Sequence, residues 1–250
     1  MRKLIGLVLL SLCGALGAAA ATNDAAPQAP AQPRTMDQVV DRVVSSENRL
    51  YQRIHRYQPL VETYIQTLRP DKDLGYTPAG DRYFLGRADF GKGVQLIPLT
   101  QSTGKGRKIF GGIGNFFSFA MEFLPDGFLQ MIFIDTNGFD RQHYKFDYVR
   151  REFLGEVRCL VFDVTPNEKN NKGRFLGRIW VEDQDFNIVR LNGTYTHAKR
   201  NTYYFHMDSW RLNLIPGYWI PAYIYSEEGD FTAGAKNKIA FKAQTRIWGY

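Results

Sequence analysis

From Gly173 to Glu228 apolar and polar residues alternate through four consecutive segments, GRFLGRIWVED, NIVRLNGTYT, YYFHMDSWRLNL and YWIPAYIYSEE. On the first, Phe175, Gly177, Ile179 and Val181 share one face, while Arg178 and Glu182 occupy the other. On the second, Val189, Leu191, Gly193 and Tyr195 oppose Arg190, Asn192 and Thr194. A period of two with one apolar face predicts an antiparallel sheet covering a core. The third segment is apolar on both sides, with Tyr203, Phe205 and Met207 opposite Tyr204, His206 and Trp210. On the fourth, Trp219, Tyr223 and Tyr225 oppose Ile220 and Ile224. Further strands are predicted at Tyr83–Phe90, Val94–Leu99, Tyr144–Leu154, Val157–Thr165 and Ile239–Trp248, with Leu154-Gly155-Glu156 as a tight hairpin turn.

Upstream the period changes to 3.6. Val39, Val40, Val43 and Val44 form a stripe continued by Leu50, Ile54, Tyr57, Val61, Tyr64, Ile65 and Leu68. Thr35 and Asp37 supply a helix start and Arg69-Pro70 a stop, with Pro59 kinking or splitting the helix between them. The middle of the chain has no period. Phe116, Phe117, Phe119, Met121, Phe123 and Leu124 leave no polar face, and FLQMIFI after the Pro125-Asp126-Gly127 turn reads as a strand apolar on both faces. The Phe116–Leu124 segment is either buried core or, with Gly111, Gly112 and Gly114 before it, a hinged lid over a cavity. The fold class is therefore α+β, an antiparallel sheet with an N-terminal helix or helix pair packed on it.

The first residues add a compartment. Arg2 and Lys3, the apolar run Leu4 to Leu12 and the small residues Ala18 to Ala21 predict a secretory signal peptide over 1–21. A disordered Ala/Pro linker follows over 22–35, TNDAAPQAPAQPRT, which lacks the apolar surface to offset its ordering entropy. A single β-rich domain occupies 36–250, and its close on RIWGY, within a strand pattern, leaves room for a longer natural protein. Leu12 precedes Cys13 where a lipoprotein signal needs a small residue, so no lipid anchor is expected. That leaves Cys159, grouped with Val157 and Val161 as a small buried residue, and a domain stabilised by its core without disulfides. Net charge is +7, or +5 without Arg2 and Lys3, and is spread along the chain except at Lys105-Arg107-Lys108 and His197-Lys199-Arg200. Nucleic acid is not an expected partner, whereas loose attraction to anionic lipid headgroups is.

Catalytic spacing is sparse. The four histidines, His55, His143, His197 and His206, make no H-x-x-x-H or H-E-x-x-H pair, and no G-x-S-x-G occurs. Gly104, Gly106, Gly111, Gly112 and Gly114 match neither a P-loop nor a dinucleotide fingerprint. Glu182, Asp183 and Asp185 read as a hairpin turn rather than a metal cluster. His206 and Asp208, two apart on one strand face, could serve as base and orienter or as half a metal site, and they carry the rival reading of a secreted hydrolase. The favoured expectation is a non-enzyme with no cofactor and no metal.

The order of signal peptide, helical region and long antiparallel meander, with strand–acidic turn–strand units such as GRIWVEDQDFNIVRL, resembles the envelope carriers typified by LolA and LolB and the RseB regulator, from Val39 onward. The resemblance implies a strongly curved sheet, an open half-barrel of roughly nine to eleven strands, plugged by helices and holding acyl chains. It implies a soluble periplasmic monomer, not a lipid-anchored protein, with a lipid or acylated lipoprotein as ligand. Large rings give an acyl chain wide contact at little entropic cost, so the cavity candidates are Phe116, Phe119, Phe123, Phe133, Trp180, Phe205, Trp210, Trp219 and Tyr223. The alternative is an RseB-like regulatory module that reads another envelope protein through a surface strand or through Phe116–Phe123.

Overall fold

The computed structural model describes residues 32–91, 95–99, 131–135, 138–167, 174–196, 205–228 and 240–250. The expected signal peptide, most of the linker, the basic loop at 101–108 and the Phe116–Leu124 segment lie outside them. Helix α1 (Met36–Ile54) opens on Thr35, whose hydroxyl accepts the Gln38 N–H at 3.2 Å, with Asp37 in the first turn. Both features favour a helix N-terminus, the first by satisfying a free donor and the second through the dipole. Val39, Val40, Val43, Leu50 and Ile54 form its buried stripe.

The helix ends well before Arg69. Pro59 disfavours helical dihedrals at Gln58, and the next residues form β1 (Leu60–Asp71) instead. The continuation of the helix to Leu68 is therefore corrected. Val61 and Ile65 suit either period, but Thr63 between them is also buried, and its hydroxyl meets that of Thr245 at 2.9 Å. The remaining strands are β2 (Gly75–Asp89), β3 (Gln95–Pro98), β4 (Tyr144–Leu154), β5 (Val157–Pro166), β6 (Phe175–Glu182), β7 (Ile188–Tyr195), β8 (Phe205–Ile215), β9 (Tyr218–Glu228) and β10 (Ala240–Trp248).

Among the described residues these ten strands form one antiparallel sheet in the order β3-β2-β1-β10-β9-β8-β7-β6-β5-β4. It is an open, curved sheet, and among the described residues it carries one helix. Each strand from β4 to β10 pairs with its successor, and the meander then joins the first strands through the β1–β10 ladder. Pro216-Gly217 links β8 to β9 in a tight turn with Gly217 at φ 76°, a left-handed conformation that glycine adopts without strain.

The main core lies between α1 and the sheet face it covers, where Val43 and Ile54 join Phe162, Ile179, Leu191, Met207 and Ile224. Met131 to Ile134 also belong to it, each at most 2 % exposed. They are not the expected strand but a turn and bend. Side chains rather than a ladder satisfy this backbone: Arg211 donates to the Ile132 carbonyl at 3.1 Å and the Tyr195 hydroxyl to that of Phe133 at 2.7 Å. A further correction concerns Val189. A register shift between Trp180 and Val181 pairs Val181 with Ile188, so Ile188 takes the core face and Val189 packs in a second cluster with Cys159, Val161 and Trp180. An extra residue in one strand reverses the side on which its neighbours emerge.

Candidate functional site

On the face beneath α1, the register sets small and hydroxylated residues side by side. One row runs Ile65, Ala243, Ser226, Met207, Gly193, Gly177 and Val164 across seven strands. The next runs Thr63, Thr245, Ile224, Ser209, Leu191, Ile179 and Phe162. Gly177 and Gly193 face each other so closely that a Cβ on Gly177 would lie 2.3 Å from the Asn192 carbonyl oxygen. The Phe175 ring covers this pair; its Cζ would be 2.8 Å from that Cβ. Ser209 and Ser226 are fully buried, and neither hydroxyl has a hydrogen-bond partner. An unsatisfied buried hydroxyl costs about 1–3 kcal/mol. Two of them on adjacent strands, unlike the Thr63 and Thr245 hydroxyls that meet each other, are the least ordinary chemistry of this surface.

The band is bounded by a buried ion pair. Arg211 of β8 grips Glu47 of α1 with both terminal nitrogens, at 2.6 and 2.7 Å, and the two residues are 2 % and 4 % exposed. Its other contacts are the Ile188 and Ile132 carbonyls, so one side chain ties helix, sheet and the 131–134 segment together. At the β6–β7 turn Glu182 accepts the backbone N–H groups of Gln184, Asp185 and Asn187. The acidic run is thus the hairpin expected, and it holds Phe186 at φ 60°. No group of three or more metal-ligating side chains occurs among the described residues.

The opposite face is aromatic and ionic. Arg190 lies between two indoles, 4.5 Å from the Trp180 ring and 4.3 Å from that of Trp210, and grips Asp208 at 2.8 and 2.7 Å. Tyr223 continues the row as the cross-strand partner of Trp210. The Trp180 indole donates to Glu152; this bond, with Arg150 beside it, holds the Glu152 carboxyl below its ordinary range. Arg178 does the same for Asp163. Cys159 is buried among Val161, Trp180 and Val189, and burial pushes its thiol up to about 11, as suits a packing residue.

The expected cavity residues therefore divide. Phe133 is in the main core, edge-on to Tyr51 at 5.1 Å and to Phe90 at 6.1 Å. Trp180, Trp210, Trp219 and Tyr223 belong to the other side of the sheet. Phe205 opens β8 opposite Glu228, and Phe116, Phe119 and Phe123 lie outside the described residues. Asp208 gives both oxygens to Arg190 and does not orient His206, which is exposed. Ser209, Ser226 and the Glu47–Arg211 pair were missed. Serine in a strand carries no periodic signal, and Glu47 and Arg211 are 164 residues apart. No helix among the described residues is long and apolar enough to cross a membrane. No family model, curated protein or solved structure matches the chain.

Proposed function

We propose that this chain is a non-catalytic periplasmic carrier of a lipid or a lipoprotein acyl chain, built as an open half-barrel like the LolA, LolB and RseB proteins it resembles. The observation that carries this reading is the band on the α1-covered face. It sets the small residues Gly177, Gly193 and Ala243 among larger apolar ones, and the Ser209 and Ser226 hydroxyls lack partners. A chain with a polar head suits such a surface, because methylenes gain about 0.8 kcal/mol each on burial and a carboxyl or ester oxygen would accept from the hydroxyls. In this reading α1 and Met131–Ile134 are the plug that shares the face with the ligand. Trp180, Trp210, Trp219 and Tyr223 then belong to the outer wall.

Native mass spectrometry and lipid extraction of the purified protein test this, together with uptake of a fluorescent fatty acid. Co-purified lipid, and uptake weakened by Ser226→Phe in a variant that still folds, are the expected results. A protein free of lipid that also ignores the fatty acid would overturn it. The regulatory alternative has one observation of its own, the edge strand β4, which exposes Tyr148, Val149 and Phe153. Edge strands are templates for pairing with another chain. Capture of an envelope protein that is lost on Val149→Pro, with no lipid in the extract, would favour it.

A further inference from the structure

We propose that the exposed flank of α1 is a docking surface for the anionic headgroups of a phospholipid bilayer. An open groove of about 590 Å³ runs along the helix, lined by Ser45, Asn48, Arg49, Arg53, Arg56 and Tyr218 among others. Three guanidinium groups therefore point to one side over roughly 10 Å of chain. Among the described residues none is in an ion pair with a carboxylate: Arg49 donates to the Ser45 and Ser46 hydroxyls at 2.9 and 2.7 Å. Arg53 lies over the Tyr218 ring at 5.2 Å, with its Nε buried and without a partner. Asp41, the one acid in the groove, is turned to Arg141 at 3.4 Å.

Like charges three and four residues apart destabilise a helix. The helix dipole compensates cations only near the last turn, which holds Arg53 but not Arg49, while Arg56 follows the helix end. An anion supplies what the groove lacks. Its form favours many phosphates over one, because the groove is open and the cations are strung along it rather than converging on a point. Val44 and the Tyr218 ring beside them suit the boundary between headgroup and acyl region, where aromatic rings with a polar end settle. The surface is separate from the band under α1, so it stands or falls independently of acyl binding.

The test is sedimentation of the intact protein with vesicles of phosphatidylcholine alone or mixed with phosphatidylglycerol. The protein is expected to bind the mixed vesicles selectively. The triple variant Arg49→Gln, Arg53→Gln, Arg56→Gln should lose about a hundredfold in partitioning, near fivefold per arginine. A charge-matched triple on exposed positions elsewhere, Arg69→Gln, Lys242→Gln, Arg246→Gln, should lose far less. Equal losses in the two triples, or equal binding to both vesicles, would overturn the proposal. So would full competition by millimolar glycerol phosphate, which would make the groove a small-anion site. If the groove triple fails to fold, Arg56→Gln alone is exposed and still reads the effect: about fivefold supports the surface, and no change removes it.

Discussion

Two arginine–carboxylate forks sit on adjacent strands and face opposite ways. Arg211 on β8 holds Glu47 beneath α1, with side chains 1 % and 4 % exposed, whereas Arg190 on β7 holds Asp208 on the outer face at 22 % and 19 %. Both are bidentate and share one geometry, yet they differ in what surrounds them. The inner fork is sealed in the core, where its terminal nitrogens also reach two carbonyls while the Arg211 Nε has no partner. The outer fork has its arginine between two indoles and is partly open to solvent. The same pair of groups therefore acts as a pin on one side and as part of a solvated lattice on the other.

Breaking the inner fork should have the largest effect. Glu47→Ala leaves Arg211 buried without its counter-charge and is expected to cost about 3–5 kcal/mol, read by urea denaturation. Glu47→Leu combined with Arg211→Met should recover most of that loss, since an apolar pair carries no desolvation penalty. A cost below about 1 kcal/mol for Glu47→Ala would mean that the fork does not hold the helix.

Gly193→Ala probes the same face through packing alone. Its Cβ would stand 2.3 Å from the Leu176 carbonyl oxygen and 2.7 Å from the Gly177 Cα. Backbone cannot give way as a side-chain tip can, so a loss of about 1–3 kcal/mol or more is expected. Asn192→Ala, one residue along and facing outward, should cost much less in the same melts.

On the outer face Arg190→Lys keeps the charge but loses the planar fork and the stacking on both indoles. About 1–2 kcal/mol is expected, together with a change in tryptophan fluorescence. Added salt should shrink the difference between wild type and variant, because this pair is partly solvated. Salt should leave the Glu47→Ala deficit nearly unchanged, which separates the two environments directly.

Acid should act on the outer lattice next. The folded-state pKa values of Glu152 and Asp163 lie below their ordinary values of 4.5 and 3.8. Each therefore contributes stability that is present above the ordinary value and lost as pH falls through the folded one. Melting temperature should fall below about pH 4.5, and Glu152→Gln should flatten the upper part of that fall. The smallest effect is kinetic. With its thiol raised to about 11, Cys159 should resist alkylation at pH 8 in the folded protein and react once urea unfolds it. Rapid labelling of the native protein would contradict its place in the outer cluster.

Local alternation was enough to read β4 through β10, because each of those strands pairs with its sequence neighbour. It was enough to start α1 at Thr35, whose cap is made within four residues. It failed at Leu60–Leu68, where Val61 and Ile65 fit either period; β1 is fixed by two ladders, one to its neighbour β2 and one to β10, some 180 residues later. It failed at Met131–Ile134, where burial was legible but strand geometry was not, since distant Arg211 and Tyr195 replace a ladder. The division of Trp180, Trp210, Trp219 and Tyr223 from Phe133 was likewise decided only in three dimensions. Alternation shows that two sets of side chains oppose each other, and only the helix that covers one face determines which side is core. Short-range spacing is written in the chain, whereas partners distant in sequence meet only when the sheet assembles.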